Sequence, residues 1–116
     1  MSSRGDSDRL QDIEGAISSI ERDTSGLNEE QFFSNQTKVQ SVLYSLMVIG
    51  EAASKLSQEA KNMSPSTDWI AIKGLRNFIA HEYFKVKSDV IWDIITSELP
   101  TLKSTVESIK SEIGGT

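Results

Sequence analysis

Four polar side chains that could do chemistry lie within two helical turns of one another, between Arg76 and Tyr83. Arg76 is a permanent cation whose planar fork matches the oxygens of a phosphate. His81, the one histidine of the chain, can give or take a proton near neutral pH. Asn77 and Tyr83 add an amide and a phenol. This set of groups is suited to binding a phosphate ester and moving protons around it.

A helix must position these groups, because apolar residues recur around them at three- and four-residue spacing. The cap residues of the loop 64–68 predict that this helix begins near Trp69 and runs to about Glu82 or Tyr83. At about 100° per residue, one arc of the helix faces the core and consists of Ala71, Ile72, Leu75, Phe78 and Ile79. The remaining face carries Trp69, Lys73, Arg76, Asn77, Ala80, His81 and Tyr83. Arg76 and His81 are then about 140° apart, with Lys73 and Ala80 between them.

Each of these residues also has an ordinary structural interpretation. An arginine on a helix is usually solvated or paired with an acid, here Glu82 or a carboxylate of another helix. A histidine near a helix C-terminus can simply favour the negative end of the helix dipole. A tyrosine at that position is usually half-buried packing. Spacing alone therefore leaves both interpretations open.

The rest of the chain is also predicted to be helical, and the fold class is all-α, an antiparallel four-helix bundle. A first helix is expected to start with Ser7 or Asp8 as its N-cap and to end at Ser25-Gly26, with Asn28 capping the next start. A long helix is predicted over residues 37–61. The last helix starts at Ser88 or Asp89 and is kinked or split near Pro100. Residues 1–116 form one domain, with 1–6 and 114–116 frayed.

The long predicted helix is apolar on more than one side, because Tyr44, Met47 and Val48 widen its core stripe. Such a helix is either the central helix of the core or packs against another subunit.

The composition limits the function further. The 116 residues include no Cys, which excludes disulfides, a thiolate nucleophile and a thiolate zinc site. With one His and no spaced acidic cluster, no metal is expected, and no glycine-rich nucleotide loop occurs. No signal or membrane segment is apparent, so a cytoplasmic protein is expected. The net charge of −5 argues against bulk nucleic-acid binding, but residues 69–87 hold four basic residues and one acidic residue, a net of +3.

The segment Arg76-Asn77-Phe78-Ile79-Ala80-His81-Glu82-Tyr83 reads as R-x4-H-x-Y. It resembles the signature of HepT-like toxins in the HEPN superfamily of small helical ribonucleases. The segments 49–53 (IGEAA), 69–76 (WIAIKGLR), 90–92 (VIW) and 99–102 (LPTL) resemble further landmarks of that family, so the resemblance covers roughly residues 7–113.

The resemblance implies metal-independent RNA cleavage by a two-fold dimer with its motif faces in one cleft, in a type VII toxin–antitoxin system. Arg76 and His81 become the catalytic pair, and Asn77 and Lys73 support them or bind RNA. Tyr83 becomes the site at which an MntA-like nucleotidyltransferase antitoxin attaches AMP and silences the toxin. Glu51 matches a landmark whose role, catalytic or structural, stays open. No cofactor is implied.

A dimer also answers a chemical need, since one chain supplies a single His, whereas RNA cleavage by the 2′-OH needs both a base and an acid. Two non-nuclease alternatives remain. One is an accessory subunit that pairs with a nucleotidyltransferase and binds its substrate without cutting it, and the other is a helical scaffold dimer.

Overall fold

The computed structural model describes the backbone of residues 2–82 and 88–114 and the side chains of residues 5–80 and 88–114, and within these ranges it is helical with no strand. The helices are α1 (Ser2–Thr24), α2 (Glu29–Phe33), α3 (Gln36–Ser54), α4 (Gln58–Asn62), α5 (Trp69–Glu82), α6 (Ser88–Asp93) and α7 (Leu99–Gly114). A π-helical turn, Ile94–Glu98, joins α6 to α7. The predicted all-helical class is confirmed.

Helix α3 lies between α1 and α5, and α1 also packs against α7. The core stripes of these helices are almost completely buried: Leu10, Ile13, Ile17 and Ile20 from α1, Val42, Leu46 and Ile49 from α3, and Leu102, Val106 and Ile109 from α7. Two ion pairs flank the packed α1 and α7, Lys103 to Glu21 at 3.0 Å and Lys110 to Glu14 at 2.6 Å. The hydrogen bond and charge of Glu21 raise the pKa of Lys103. No helix in the described ranges is both long and apolar enough to cross a membrane.

The beginning of the chain differs from the prediction. Helix α1 begins at Ser2, so neither Ser7 nor Asp8 is its N-cap, and Asp6, expected in a frayed end, is only 3% exposed. The Asp6 carboxylate accepts hydrogen bonds from the backbone N–H of Ser57 at 2.8 Å and from the Ser57 hydroxyl at 2.6 Å. Tertiary contact therefore holds Asp6 in a buried position.

The same contact explains why the predicted helix over residues 37–61 is two helices. Helix α3 ends at Ser54, and Ser57 is the N-cap of α4, its hydroxyl accepting from the N–H of Ala60 at 3.1 Å. With both its backbone N–H and its hydroxyl held by Asp6, Ser57 stays extended (φ −67°, ψ 158°) and interrupts the helix.

Three predicted helix boundaries are confirmed. Gly26 ends the first helical segment at a φ of 74°, the left-handed region that favours glycine. Asn28 caps α2 in a reciprocal capping box with Gln31. Helix α5 begins at Trp69, as predicted from the preceding loop.

The interruption predicted near Pro100 takes the form of the π-helical turn. The N–H of Leu99 bonds to the carbonyl of Ile94, five residues earlier, so the hydrogen-bond pattern changes just before the proline. Pro100 follows directly as the second residue of α7, where the backbone stays helical through the wider π-helical turn, and having no N–H it cannot continue the hydrogen-bond pattern of that turn.

The predicted core arc of α5 is only partly correct. Ile79 is buried and Ile72 and Leu75 pack against the core, but Ala71 is exposed and Phe78 is 36% exposed. The reason is that α3 is the main neighbour of α5, so only the arc that faces α3 is covered.

Candidate functional site

The start of α5 is held by two groups of hydrogen bonds. The side chain of Asp68 accepts from the N–H of Ala71 at 3.0 Å, which satisfies one of the free donors of the first turn. The indole N–H of Trp69 is shared between the carbonyls of Lys61 and Ser64, both at 3.2 Å. These contacts fix where α5 begins and hence the rotation of every later side chain on it.

A glycine lets α5 approach α3 closely at the level of Arg76. A Cβ placed on Gly50 would lie 2.7 Å from the backbone nitrogen of Arg76 and 3.2 Å from the carbonyl oxygen of Ile72. Real Cβ atoms do not come so near to backbone atoms. Gly50 therefore brings the Arg76 turn of α5 directly against α3.

Arg76 is paired across this contact with the residue that follows the glycine. Its Nε lies 3.3 Å from Oε1 of Glu51, and Lys55 lies 3.4 Å from Oε2 of the same carboxylate. The Arg76 side chain is 59% exposed, and its Nε faces the Glu51 carboxylate. Its terminal nitrogens, which carry most of the N–H donors of a guanidinium, can address a ligand.

The pair borders an open cleft of about 220 Å³ between α1, α3 and α5. Met47, Val48 and Ala52 of α3 form its apolar floor. Opposite Arg76 the wall is formed by α1, where Arg9 lies 3.9 Å from Asp12. The cleft thus combines an apolar floor with cations contributed by two different helices.

The other predicted site residues are distributed as follows. Lys73 and Asn77 are exposed on α5. His81 belongs to the last helical turn of α5, and its side chain lies outside the described part of the structure. Tyr83 also lies outside the described residues. Among the predicted residues whose side chains are described, Arg76 is the one paired with another charged group.

Sequence reasoning left the role of Glu51 open and did not single out Arg9 or Asp12. The adjacent glycine was the available signal for Glu51, because a glycine inside a helix often marks close backbone approach. Arg9 gave no such signal, since its place beside the cleft depends on how α1 is rotated against α3. In the described part of the chain, no group of three or more His, Asp or Glu residues could hold a metal ion.

Fold and cleft together define an all-helical protein that displays an arginine beside an open, apolar-floored cleft of about 220 Å³. The chain belongs to the ribonuclease HepT-like family, whose model matches residues 13–109.

Two relatives show the extent of the similarity. A protein of Thermococcus cleftensis named "Probable ribonuclease HepT" is 30% identical over 107 residues, which cover 92% of this chain and 97% of the relative. A protein of Caldanaerobacter subterraneus subsp. tengcongensis named "Putative RNase TTE0752" is 32% identical over 100 residues, which cover 86% of each chain. No solved structure is a significant match for the chain.

Proposed function

We propose that this protein is a metal-independent endoribonuclease, acting in the cytoplasm as the toxin of a type VII HepT/MntA-like toxin–antitoxin pair. The observation that carries the proposal is the R-x4-H-x-Y pattern of Arg76, His81 and Tyr83 in a chain of the ribonuclease HepT-like family. The names of both relatives agree in the substrate class, RNA. The ion pair of Arg76 with Glu51 supports the role of Arg76, because it fixes one edge of an exposed guanidinium and leaves the other edge outward.

The chemistry follows from these groups. The 2′-OH of a ribose attacks the adjacent phosphorus, its proton passes to a base, and the new O2′–P bond forms as the P–O5′ bond breaks. A proton supplied by an acid goes to the departing O5′, so the products are a 2′,3′-cyclic phosphate and a free 5′-OH. His81 is suited to base and acid roles, and Arg76 to the negative charge on the phosphate oxygens.

The need for both a base and an acid supports a two-fold dimer through the motif-bearing face of α5. On that face Ile70, Gly74, Asn77 and His81 recur at helical spacing, within about 60° of one another. Ile70 is 84% exposed, and a Cβ on Gly74 would contact nothing within 4 Å. A large exposed apolar residue beside an open glycine favours close packing of a second helix. Each chain, residues 1–116, would contribute one domain, an antiparallel bundle of four helices.

RNA cleavage in EDTA tests the enzymatic proposal. Wild-type protein should cut single-stranded RNA to fragments with 2′,3′-cyclic phosphate ends, whereas Arg76→Ala and His81→Ala should lose about 100-fold or more in rate. Arg22→Ala is the matched control, because Arg22 is an exposed arginine near the far end of α1. Equal cleavage by the wild type and both site variants would identify a contaminant and reject the nuclease. Wild-type cleavage of RNA that lacks 2′-OH groups would reject the mechanism.

The same assay separates the nuclease from an accessory subunit. An accessory subunit would bind a nucleotidyltransferase and leave RNA intact under all of these conditions.

AMP attachment to Tyr83 is the regulatory part of the proposal. Tyr83 follows Arg76 by seven residues in the sequence, and AMP there would add bulk and negative charge that repel RNA. Intact mass after co-expression with the MntA-like antitoxin should show whole AMP increments on the wild type and none on Tyr83→Phe. Increments on the Phe variant, or none on the wild type, would contradict this part alone.

A further inference from the structure

The cleft between α1 and α3 is not explained by the catalytic pair. Arg76 lines it from one side, but its opposite wall belongs to α1, a helix without any residue of the R-x4-H-x-Y pattern. Arg9 on that wall is one of only three basic residues among residues 1–36, which are otherwise strongly acidic. Arg9 thus places a positive charge beside the candidate site within an acidic segment.

We propose that this cleft binds the nucleotide adjacent to the one cleaved, with Arg9 holding its phosphate and Met47, Val48 and Ala52 receiving its base. The proposal rests on the proposed ribonuclease function and extends it from the cleaved bond to a neighbouring binding subsite.

The walls of the cleft have the chemistry that a nucleotide needs. The floor is apolar, with Met47 and Val48 half-buried and Ala52 4% exposed, as suits the face of a nucleobase. Arginines border it from two helices, as suits the anionic backbone that links successive bases. The apolar floor can thus receive a base of an RNA strand, and the arginines at its edge can bind the phosphates.

The two arginines of the cleft differ in how firmly their carboxylate partners hold them. The 3.9 Å between Arg9 Nη1 and Asp12 Oδ2 is too long for a hydrogen bond, and both side chains are well exposed, so a phosphate can replace this pair at small cost. Glu51, the other carboxylate, is already shared by Arg76 and Lys55. The two arginines that line the cleft are balanced by two carboxylates, and a phosphate that replaces Asp12 at Arg9 leaves the pair of Arg76 with Glu51 intact.

The size of the cleft also suits part of a longer ligand. The cleft measures about 220 Å³, below the ~300–1,000 Å³ of typical small-molecule and cofactor sites. It is also open to solvent, so a chain can enter and leave it. These properties fit one nucleotide of a longer strand better than an enclosed free ligand.

Binding of non-cleavable RNA tests the proposal separately from catalysis. The probe is a fluorescent single-stranded 2′-O-methyl RNA, which lacks the attacking hydroxyl, titrated by anisotropy at several salt concentrations. Arg9→Ala should weaken binding about tenfold and lower the slope of log K against log salt by about 0.7, the loss of one phosphate contact. Arg9→Lys should retain most of the slope.

Asp12→Asn provides a test that misfolding cannot imitate, because it should strengthen binding severalfold by releasing Arg9 and removing a negative charge. Arg22→Ala and Glu112→Gln are the matched controls, an exposed arginine of α1 and an exposed carboxylate of α7, and both should bind as the wild type does. On cleavable RNA, Arg9→Ala should raise KM more than it lowers kcat, unlike Arg76→Ala.

Wild-type affinity and salt slope in Arg9→Ala, no strengthening by Asp12→Asn, or no RNA binding by the wild type would each overturn the subsite. Binding that depends on Arg9 in a protein that cuts no RNA would instead reject the proposed nuclease and leave the subsite in place.

Discussion

At the scale of single residues, Glu51 links two helices through one carboxylate, with Arg76 at 3.3 Å and Lys55 at 3.4 Å. The Glu51 side chain is 42% exposed, and ion pairs of such exposure contribute only about 0–1 kcal/mol to stability. The main effect of Glu51 on Arg76 is therefore to orient its guanidinium group. By engaging Nε it restricts a flexible side chain to a narrow range of orientations, so less entropy is lost when a phosphate binds.

Glu51→Gln should consequently impair the proposed cleavage without unfolding the protein. We expect kcat to fall about tenfold, equivalent to ~1.4 kcal/mol, since Arg76 is no longer held at the angle that the transition state needs. Steady-state kinetics across pH is the measurement, with Glu59→Gln on α4 as the control.

Glu51→Asp should recover part of the lost rate, because a shorter carboxylate can still reach Arg76. Loss of one limb of the pH profile in Glu51→Gln would show instead that Glu51 itself transfers a proton, and would refute the positioning role.

At the scale of helices, Gly50 sets the distance between α3 and α5. A side chain there would meet the backbone of Arg76 and Ile72, which cannot move aside as a flexible side chain could. The close packing of α3 against α5, and with it the position of Arg76, thus depends on the absence of a side chain at Gly50.

Gly50→Ala should destabilise the protein by about 1–3 kcal/mol, although alanine favours helix, because the added methyl forces the helices apart. Gly15→Ala is the matched control on α1, where a new Cβ contacts nothing within 4 Å, and it should stabilise by up to about 1 kcal/mol. Urea denaturation of both variants gives the two free energies of unfolding. A neutral or stabilising Gly50→Ala would contradict the close contact.

A second contact between helices joins α1 to the start of α4 through Asp6 and Ser57. The buried carboxylate of Asp6 receives both the N–H and the hydroxyl of Ser57, fifty-one residues away, and Ser57 in turn caps α4. One aspartate thus orders the first turns of α1 and interrupts the helix after α3.

Asp6→Ala should cost about 2–3 kcal/mol, because it removes two hydrogen bonds to a charged acceptor and leaves the Ser57 N–H without its partner. Ser57→Ala should cost less, about 1–2 kcal/mol, since the backbone N–H still reaches Asp6. A double-mutant cycle measures their coupling, which we expect to be at least about 0.5 kcal/mol. Additive effects would show that the two residues act independently.

At the scale of the whole molecule, the position of charge matters more than its sum. The net charge is −5, yet residues 69–87 carry +3, while residues 1–36 carry three basic and eight acidic side chains. The structure adds a detail to this division, because Arg9 of the acidic segment lies beside the same cleft as Arg76. An acidic exterior around a cleft lined by two arginines disfavours indiscriminate binding to RNA.

Gly74→Arg tests the proposed dimer. If two copies meet through α5, a long charged side chain at this open position should keep them apart and abolish cleavage while the thermal midpoint of folding changes by only a few degrees. Gly15→Arg introduces the same side chain on the exposed face of α1 and should remain dimeric and active. Light scattering gives the mass and the RNA assay gives the activity. A dimeric, active Gly74→Arg would exclude this face as the interface.

Much of the helical fold could be predicted from local sequence. Asn28 and the loop before Trp69 contain their own capping groups, and Gly26 tolerates the positive φ that ends a helix, so these boundaries were predicted correctly. The stripe Leu10, Ile13, Ile17 and Ile20 was likewise predicted and is buried. Local signals suffice there because caps and stripes act over three or four residues.

The wrong predictions have one physical origin. The helix break at Ser57, the ordered Asp6 and the exposure of Ala71 and Phe78 all depend on which helix packs against which. Periodicity shows that a face is apolar, but it does not show how wide an arc the neighbouring helix will cover.

The amino-acid sequence by itself determined the helical class, the starts of α2 and α5, and the presence of Arg76, His81 and Tyr83 at the spacing of a ribonuclease motif. The tertiary structure alone decided that Glu51 holds Arg76, that Gly50 sets the approach of α3 to α5, and that Arg9 shares their cleft. The reason is that each of these contacts joins residues far apart in the chain. Their distances depend on helix rotation and crossing, which the packing of the core fixes and the spacing of residues along one helix does not.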